Sequence, residues 1–138
     1  MILGLTGTRY GMTKDQMIQV VSLIESLNPS LGRHGDCIGA DEEFHELMMA
    51  ANIPVEIHPP ENSVLRAFCK GAQKVWPVGD YKIRNMDIVN GSDALIGISR
   101  LDHEILRSGT WHALRYARKV MNSKNIYVFA PNGKRMDW

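Results

Sequence analysis

The 138-residue sequence has little of several things, and each shortage narrows the reading. It holds only two cysteines, Cys37 and Cys69, with no CxxC pair. That argues against a zinc cluster, a thioredoxin-like centre or a disulfide scaffold, and points to a reducing compartment. No apolar run approaches the roughly 18 residues a membrane span needs, and no basic leader precedes the short apolar start. The expected location is the cytosol, with no membrane partner. Charge of one sign is not in excess: 16 Lys and Arg stand against 15 Asp and Glu, a formal net charge of +1. Nothing global pulls such a chain towards nucleic acid, so any positive patch must be local. There is no internal repeat and no low-complexity segment. What remains is ordinary soluble composition, with 44% apolar and 22% charged residues, enough for one domain spanning 1–138.

The pattern along the chain alternates. Met1 to Thr6 is a short apolar run ended by Gly7, as in a buried strand. Thr13 with Gln16 reads as a capping box, opening a helix with apolar Met17, Val20, Val21, Ile24 and Leu27. Leu31 to Cys37 is a short, polar candidate for a second strand. A helix from about Ala40 to Ala51 follows, and Ile53 to Ile57 is a third strand that Pro59-Pro60 terminates. Glu61 to Asp80 is irregular. Tyr81 to Asn90 reads as a helix with Ile83, Met86 and either Val89 or Asn90 inward. Ala94 to Ile98 is a fourth strand. Ser108 caps a helix to about Met121, with Arg115, Arg118 and Lys119 in its final turns. Asn125 to Ala130 is a fifth strand. Right-handed crossovers make this a doubly wound α/β domain with a five-stranded parallel sheet in the order 3-2-1-4-5. Ligands of such sheets bind beyond the carboxyl ends of the strands, where the order reverses.

Candidate site residues cluster at those ends. Gly7, Thr8 and Arg9 form a tight turn that can offer amides, a hydroxyl and a guanidinium to phosphate. His34, Gly35 and Asp36 follow the second strand, and Asp41 lies in the next helix's first turn. His58 sits on a stiff Pro-Pro corner, and Arg66 follows it. Arg84 and Asn85 lie near a helix start, where a cation is unfavourable unless an anion is present. Ser108, Gly109 and Thr110 open the last helix with free amides and hydroxyls, the strongest single phosphate candidate. Asp93 precedes the fourth strand and belongs to the opposite rim. Asp41 with His45 offers too few ligands for a metal, so no metal and no cofactor is expected.

Taken together, Gly4 to Arg9, His34-Gly35-Asp36-Cys37 with Gly39-Ala40-Asp41, His58-Pro59-Pro60, Arg84-Asn85 and Ser108-Gly109-Thr110-Trp111 resemble small bacterial and phage members of the SLOG superfamily. That group joins LOG-type phosphoribohydrolases, DprA-like DNA-processing proteins and stand-alone nucleotide-sensing domains. The resemblance implies a Rossmann-like fold, a pocket for nucleotides or their derivatives, and a homo-oligomer. Gly109-Thr110 matches the GT step of the LOG signature GG-x-GT-x-x-E, and Ala113 occupies the glutamate position. Two readings stay open. An enzyme would hydrolyse the N-glycosidic bond of a nucleoside 5′-monophosphate, with Asp36 or Asp41 as the carboxylate, Glu104 as a more distant option, and His34 or His58 protonating the leaving base. A sensor would need only the phosphate cradle. An accessory single-stranded nucleic-acid role would require a basic stripe interleaved with aromatics, which the sequence does not display.

Overall fold

The structure is a computed structural model describing residues 1–138. Six parallel strands form one sheet in the order β4-β3-β2-β1-β5-β6. They are β1 (Ile2–Gly7), β2 (Leu31–His34), β3 (Val55–Ile57), β4 (Lys74–Val75), β5 (Ala94–Ile98) and β6 (Ile126–Phe129). Four helices connect them: α1 (Lys14–Leu27), α2 (Ala40–Ala50), α3 (Tyr81–Asn90) and α4 (Gly109–Val120). This is a Rossmann-like arrangement, with the expected reversal at β1, which pairs with β2 on one side and β5 on the other. The expectation of five strands is corrected to six. The sixth, β4, lies inside the irregular 61–80 stretch and extends β3 through Glu56–Lys74 and Ile57–Val75 pairing. Two exposed residues have no apolar run to betray a strand; β4 exists because β3 leaves a free edge.

Each face of the sheet has its own core. Leu3, Leu5, Val20, Phe44, Met48 and Ile57 pack on the face covered by α1 and α2. Leu95, Ile88, Trp111, Leu114 and Ala117 pack on the face covered by α3 and α4. The Thr13–Gln16 capping box forms as expected, and the Gln16 side chain also donates to the Ser99 and Phe129 carbonyls, tying α1 to the ends of β5 and β6. Asp93 accepts from the Ile2 amide at 2.7 Å, at the amino edge as expected. One helix face departs from the pattern. Ile83 and Met86 of α3 are exposed, while Asn85, Ile88 and Val89 turn inward. Asn85 outcompetes its apolar neighbours for the interior because the Gly109 carbonyl waits there, 3.3 Å from its amide nitrogen.

Candidate functional site

A cleft of about 820 Å³ opens at the carboxyl edge of the sheet beside the β1 reversal. Its floor and walls come from Thr6 to Tyr10 at the end of β1 and just beyond it, Gly35 and Cys37 after β2, Arg100 after β5, and the first turns of α3 and α4. Of the expected residues, Gly7, Thr8, Arg9, Gly35, Asp41, Arg84, Asn85, Ser108, Gly109 and Thr110 meet here.

The turn after β1 is built for close approach. A Cβ on Gly7 would lie 2.5 Å from Ala40 Cβ and 2.9 Å from Ile98 Cβ, so only glycine fits between β5 and α2. The Thr8 carbonyl accepts from the Gly11 and Ala40 amides, and its hydroxyl accepts from the Tyr10 amide. Gly39, at φ 92°, caps α2 against the Arg9 backbone. Across the cleft, the Ser108 hydroxyl caps α4 by accepting from the Trp111 amide. The amides of Gly109 and Thr110 are left without an acceptor, and Gly109 has open space where a Cβ would stand.

The electrostatics of the cleft are one-sided. Arg9, Lys82, Arg84, Arg100, Arg107 and Arg115 line it against a single carboxylate, Asp41. Arg84 reaches across from α3 and donates to the Gly35 carbonyl at 2.7 Å and the His58 carbonyl at 3.4 Å, with its Nε unpartnered. Asp41 is buried; its Oδ2 accepts from the Cys37 amide and its Oδ1 has no partner. Burial pushes the Asp41 carboxyl up to about 6, against the opposing pull of Arg84 and of the backbone amides. Burial likewise pushes the Cys37 thiol up to about 11, which leaves it an unreactive neutral group.

Four expected residues lie elsewhere. His34 is fully buried and does not face the cleft. The Asp36 amide donates to its Nδ1 at 2.9 Å, so the ring proton resides on Nε2 and is donated to His45 Nδ1 at 2.9 Å. His45 then carries its proton on Nε2, donated to the Lys70 carbonyl at 2.8 Å. Burial holds the His34 ring well below the usual histidine range, and the neutral relay matches that. Asp36, at φ 53°, is also fully buried; it receives Arg66 at 2.9 Å and the Cys69 amide at 2.9 Å. It therefore anchors the 61–70 connection instead of facing a ligand, and Arg66 is spent on it. His58 stacks on Trp76 at 5.2 Å between centroids, behind the Arg84 contact. The expected acid and base roles of His34 and Asp36, and the ligand roles of His58 and Arg66, have no access to the cleft.

One imidazole nitrogen each of His34 and His45 and the Cys69 Sγ come within 4.8 Å of one another. The one-way hydrogen-bond relay already occupies both imidazole nitrogens, and burial raises the Cys69 thiol, so these atoms are committed to the fold as arranged.

Sequence reasoning missed Tyr10, Lys82, Arg100 and Arg115. Arg100 stands two residues beyond β5, where the strand-end rule applied to Ala94–Ile98 finds it. Its guanidinium lies 4.5 Å from the Tyr10 ring centroid, and that of Arg9 lies 5.4 Å from it. Arg115 was expected to serve the helix dipole in the last turns of α4. It lies mid-helix and instead turns to the cleft, pairing with Glu104 at 2.8 Å. Trp111 is core: it is fully buried and donates to Ser99 Oγ.

No family model matches the chain, and no curated protein matches it. Among solved structures, it is similar to the crystal structure of TM1055, a structural-genomics target. That likeness covers 86% of this chain and 69% of TM1055, with a TM-score of 0.60 and 16% sequence identity. At this identity the likeness speaks to the fold, and it agrees with the Rossmann-like class that the strand order defines.

Proposed function

We propose that the cleft binds a phosphorylated nucleoside or nucleotide-derived ligand, and that the chain is a stand-alone nucleotide-binding member of the SLOG superfamily. One observation carries the reading: six basic side chains and the unpaired amides of Gly109 and Thr110 converge on one cleft at the sheet reversal. An anion entering there meets donors already fixed by the fold, so little ordering cost falls on binding. The cleft volume is in the range of small-ligand sites. Gly109, with open space where a Cβ would stand, lets a phosphate approach the backbone at the start of α4.

Hydrolysis of an N-glycosidic bond is a second reading, favoured by Asp41. It is the cleft's carboxylate, and a value near 6 suits a group that must give or take a proton near neutrality. Ala113 is buried on α4, so the glutamate position of the LOG signature supplies no second acid. With His34 and Asp36 sealed away, Asp41 would act alone, and binding without turnover is the simpler reading.

A thermal-shift series with AMP, dAMP, ADP-ribose, NAD and unphosphorylated adenosine tests both. Phosphorylated ligands are expected to raise the melting midpoint with concentration, and adenosine is not. Chromatography of the same mixtures detects released base. Absence of any shift across the series contradicts the binding reading; absence of base beside a clear shift removes the hydrolase.

A further inference from the structure

The loop from Arg100 to Arg107 supplies Arg100, Ile105, Leu106 and Arg107 to the cleft and delivers the chain to Ser108. It has no regular structure, and Leu106 is 82% exposed, so its own packing is weak. What holds it is a hub at Glu104. One carboxylate oxygen accepts from Arg115 Nη1 at 2.8 Å, and the other accepts from the Trp138 indole Nε1 at 2.8 Å. Arg115 also donates to the Ile105 carbonyl at 3.3 Å and the Leu106 carbonyl at 3.0 Å. Three elements remote in sequence thus meet on one side chain: the loop, α4 and the tail after β6.

The tail is itself fixed. The Met136 amide donates to the Val128 carbonyl at 2.7 Å, and Arg135 Nη2 donates to the Ile126 carbonyl at 2.9 Å. The Trp138 ring then lies edge-on to buried Trp111, 5.2 Å between centroids, with the Arg118 guanidinium 4.6 Å from its centre. Trp111 in turn bonds Ser99, whose hydroxyl donates to the Leu101 carbonyl at 2.6 Å, at the other end of the loop. The loop is therefore gripped at both ends through two indoles packed edge to face.

We propose that Trp138 is a positioning residue for the anion cleft: through Glu104 it fixes Arg115 and the 100–107 loop in the conformation that presents Arg107 and the α4 amides to the ligand. Trp138 does not line the cleft. Its effect passes through Glu104, whose carboxyl the indole and Arg115 together hold below the usual carboxylate range. With Glu104 unheld by the indole, Arg115 can swing with it, and the loop loses its register over the α4 amides. This inference rests on the binding reading for its consequence, but the ordering of the loop is independent of any ligand.

The test has two arms on the full chain. Trp138→Phe keeps an aromatic ring against Trp111 and removes the N–H with the pyrrole part of the indole; Glu104→Gln weakens the Arg115 arm. In the ligand-free proteins, NMR amide order parameters at 101–110 should fall in both variants, with β1 and β5 unchanged. With AMP as probe, each variant should raise Kd by about fivefold, and the double variant by less than the product of the two. Unchanged order parameters at 101–110 overturn the proposal. So does a fall throughout the sheet, which would make Trp138 a residue of the fold, and so does a loosened loop with unaltered Kd. If wild-type protein does not bind AMP, the binding reading takes that failure, and the order-parameter arm alone decides on the loop.

Discussion

At the scale of single residues, the polar side chains divide by whether their hydrogen bonds are already taken. His34 and Asp36 are taken; Asp41 Oδ1 is not. The buried imidazoles govern stability, whether bonded like His34 or left with an unpartnered Nε2 like His58. Burial, with the positive field of Arg33 second, pushes the His58 ring down to about 4, while an unfolded histidine titrates near 6.5. As pH falls below about 6.5 the unfolded chain takes up protons that the fold refuses, so stability is lost progressively until about pH 4. His34 adds a loss of the same sign, since burial depresses it too. Denaturant midpoints measured from pH 7.5 to 4.5 should fall across that window, and His58→Asn should flatten part of the fall. The free residue governs binding. Asp41 is raised to about 6, so it gains negative charge as pH rises through 6 and then opposes an anion. The affinity of Asp41→Asn for AMP relative to wild type should therefore climb above pH 6, and a pH-independent ratio would deny Asp41 a place beside the phosphate. The residue types of this site were legible in the sequence; which ones face the cleft was not. Asp36 turns inward because its left-handed backbone and the Cys69 amide, 33 positions away, fix it there, and no local pattern encodes that partner.

At the scale of elements, the strand-to-helix turns were the most legible part, because glycine and cap chemistry act locally. The Thr13 and Ser108 caps stand where their sequence signals place them. Two glycines separate folding from binding. Gly7→Ala would drive a Cβ into Ala40 and Ile98, an overpacking worth about 1–3 kcal/mol of stability. Gly109→Ala meets nothing within 4 Å, and alanine suits a helix better than glycine. The Gly109→Ala protein should melt no lower than wild type, yet bind AMP more weakly, because the added methyl enters the space before the α4 amides. Equal affinity would remove α4 from the site. Strand β4 was illegible for the opposite reason: Lys74 and Val75 have no burial pattern of their own and follow the β3 edge. The inward Asn85 was illegible as a buried position for a like cause, since its partner is a carbonyl on α4.

At the scale of the whole molecule, a net charge of +1 conceals a sharp asymmetry. Six of the 16 Lys and Arg residues line the cleft with one carboxylate, so the other surfaces carry the balancing acids. Strand order reverses at β1, the helices leave it to opposite faces, and the opening between them is where those charges gather. The alternation of strand and helix foretold that opening, and 3-2-1-4-5 survives as the run β3-β2-β1-β5-β6, with β4 added beyond β3. The most direct test of the central claim is a titration of the isotope-labelled protein with AMP, followed by amide chemical shifts. The account predicts saturable shifts at 7–10 and 108–111, on both sides of one cleft, with the His34 and His58 amides little moved. Saturable shifts centred on His34, Asp36 and His58, or none at any amide, would contradict it.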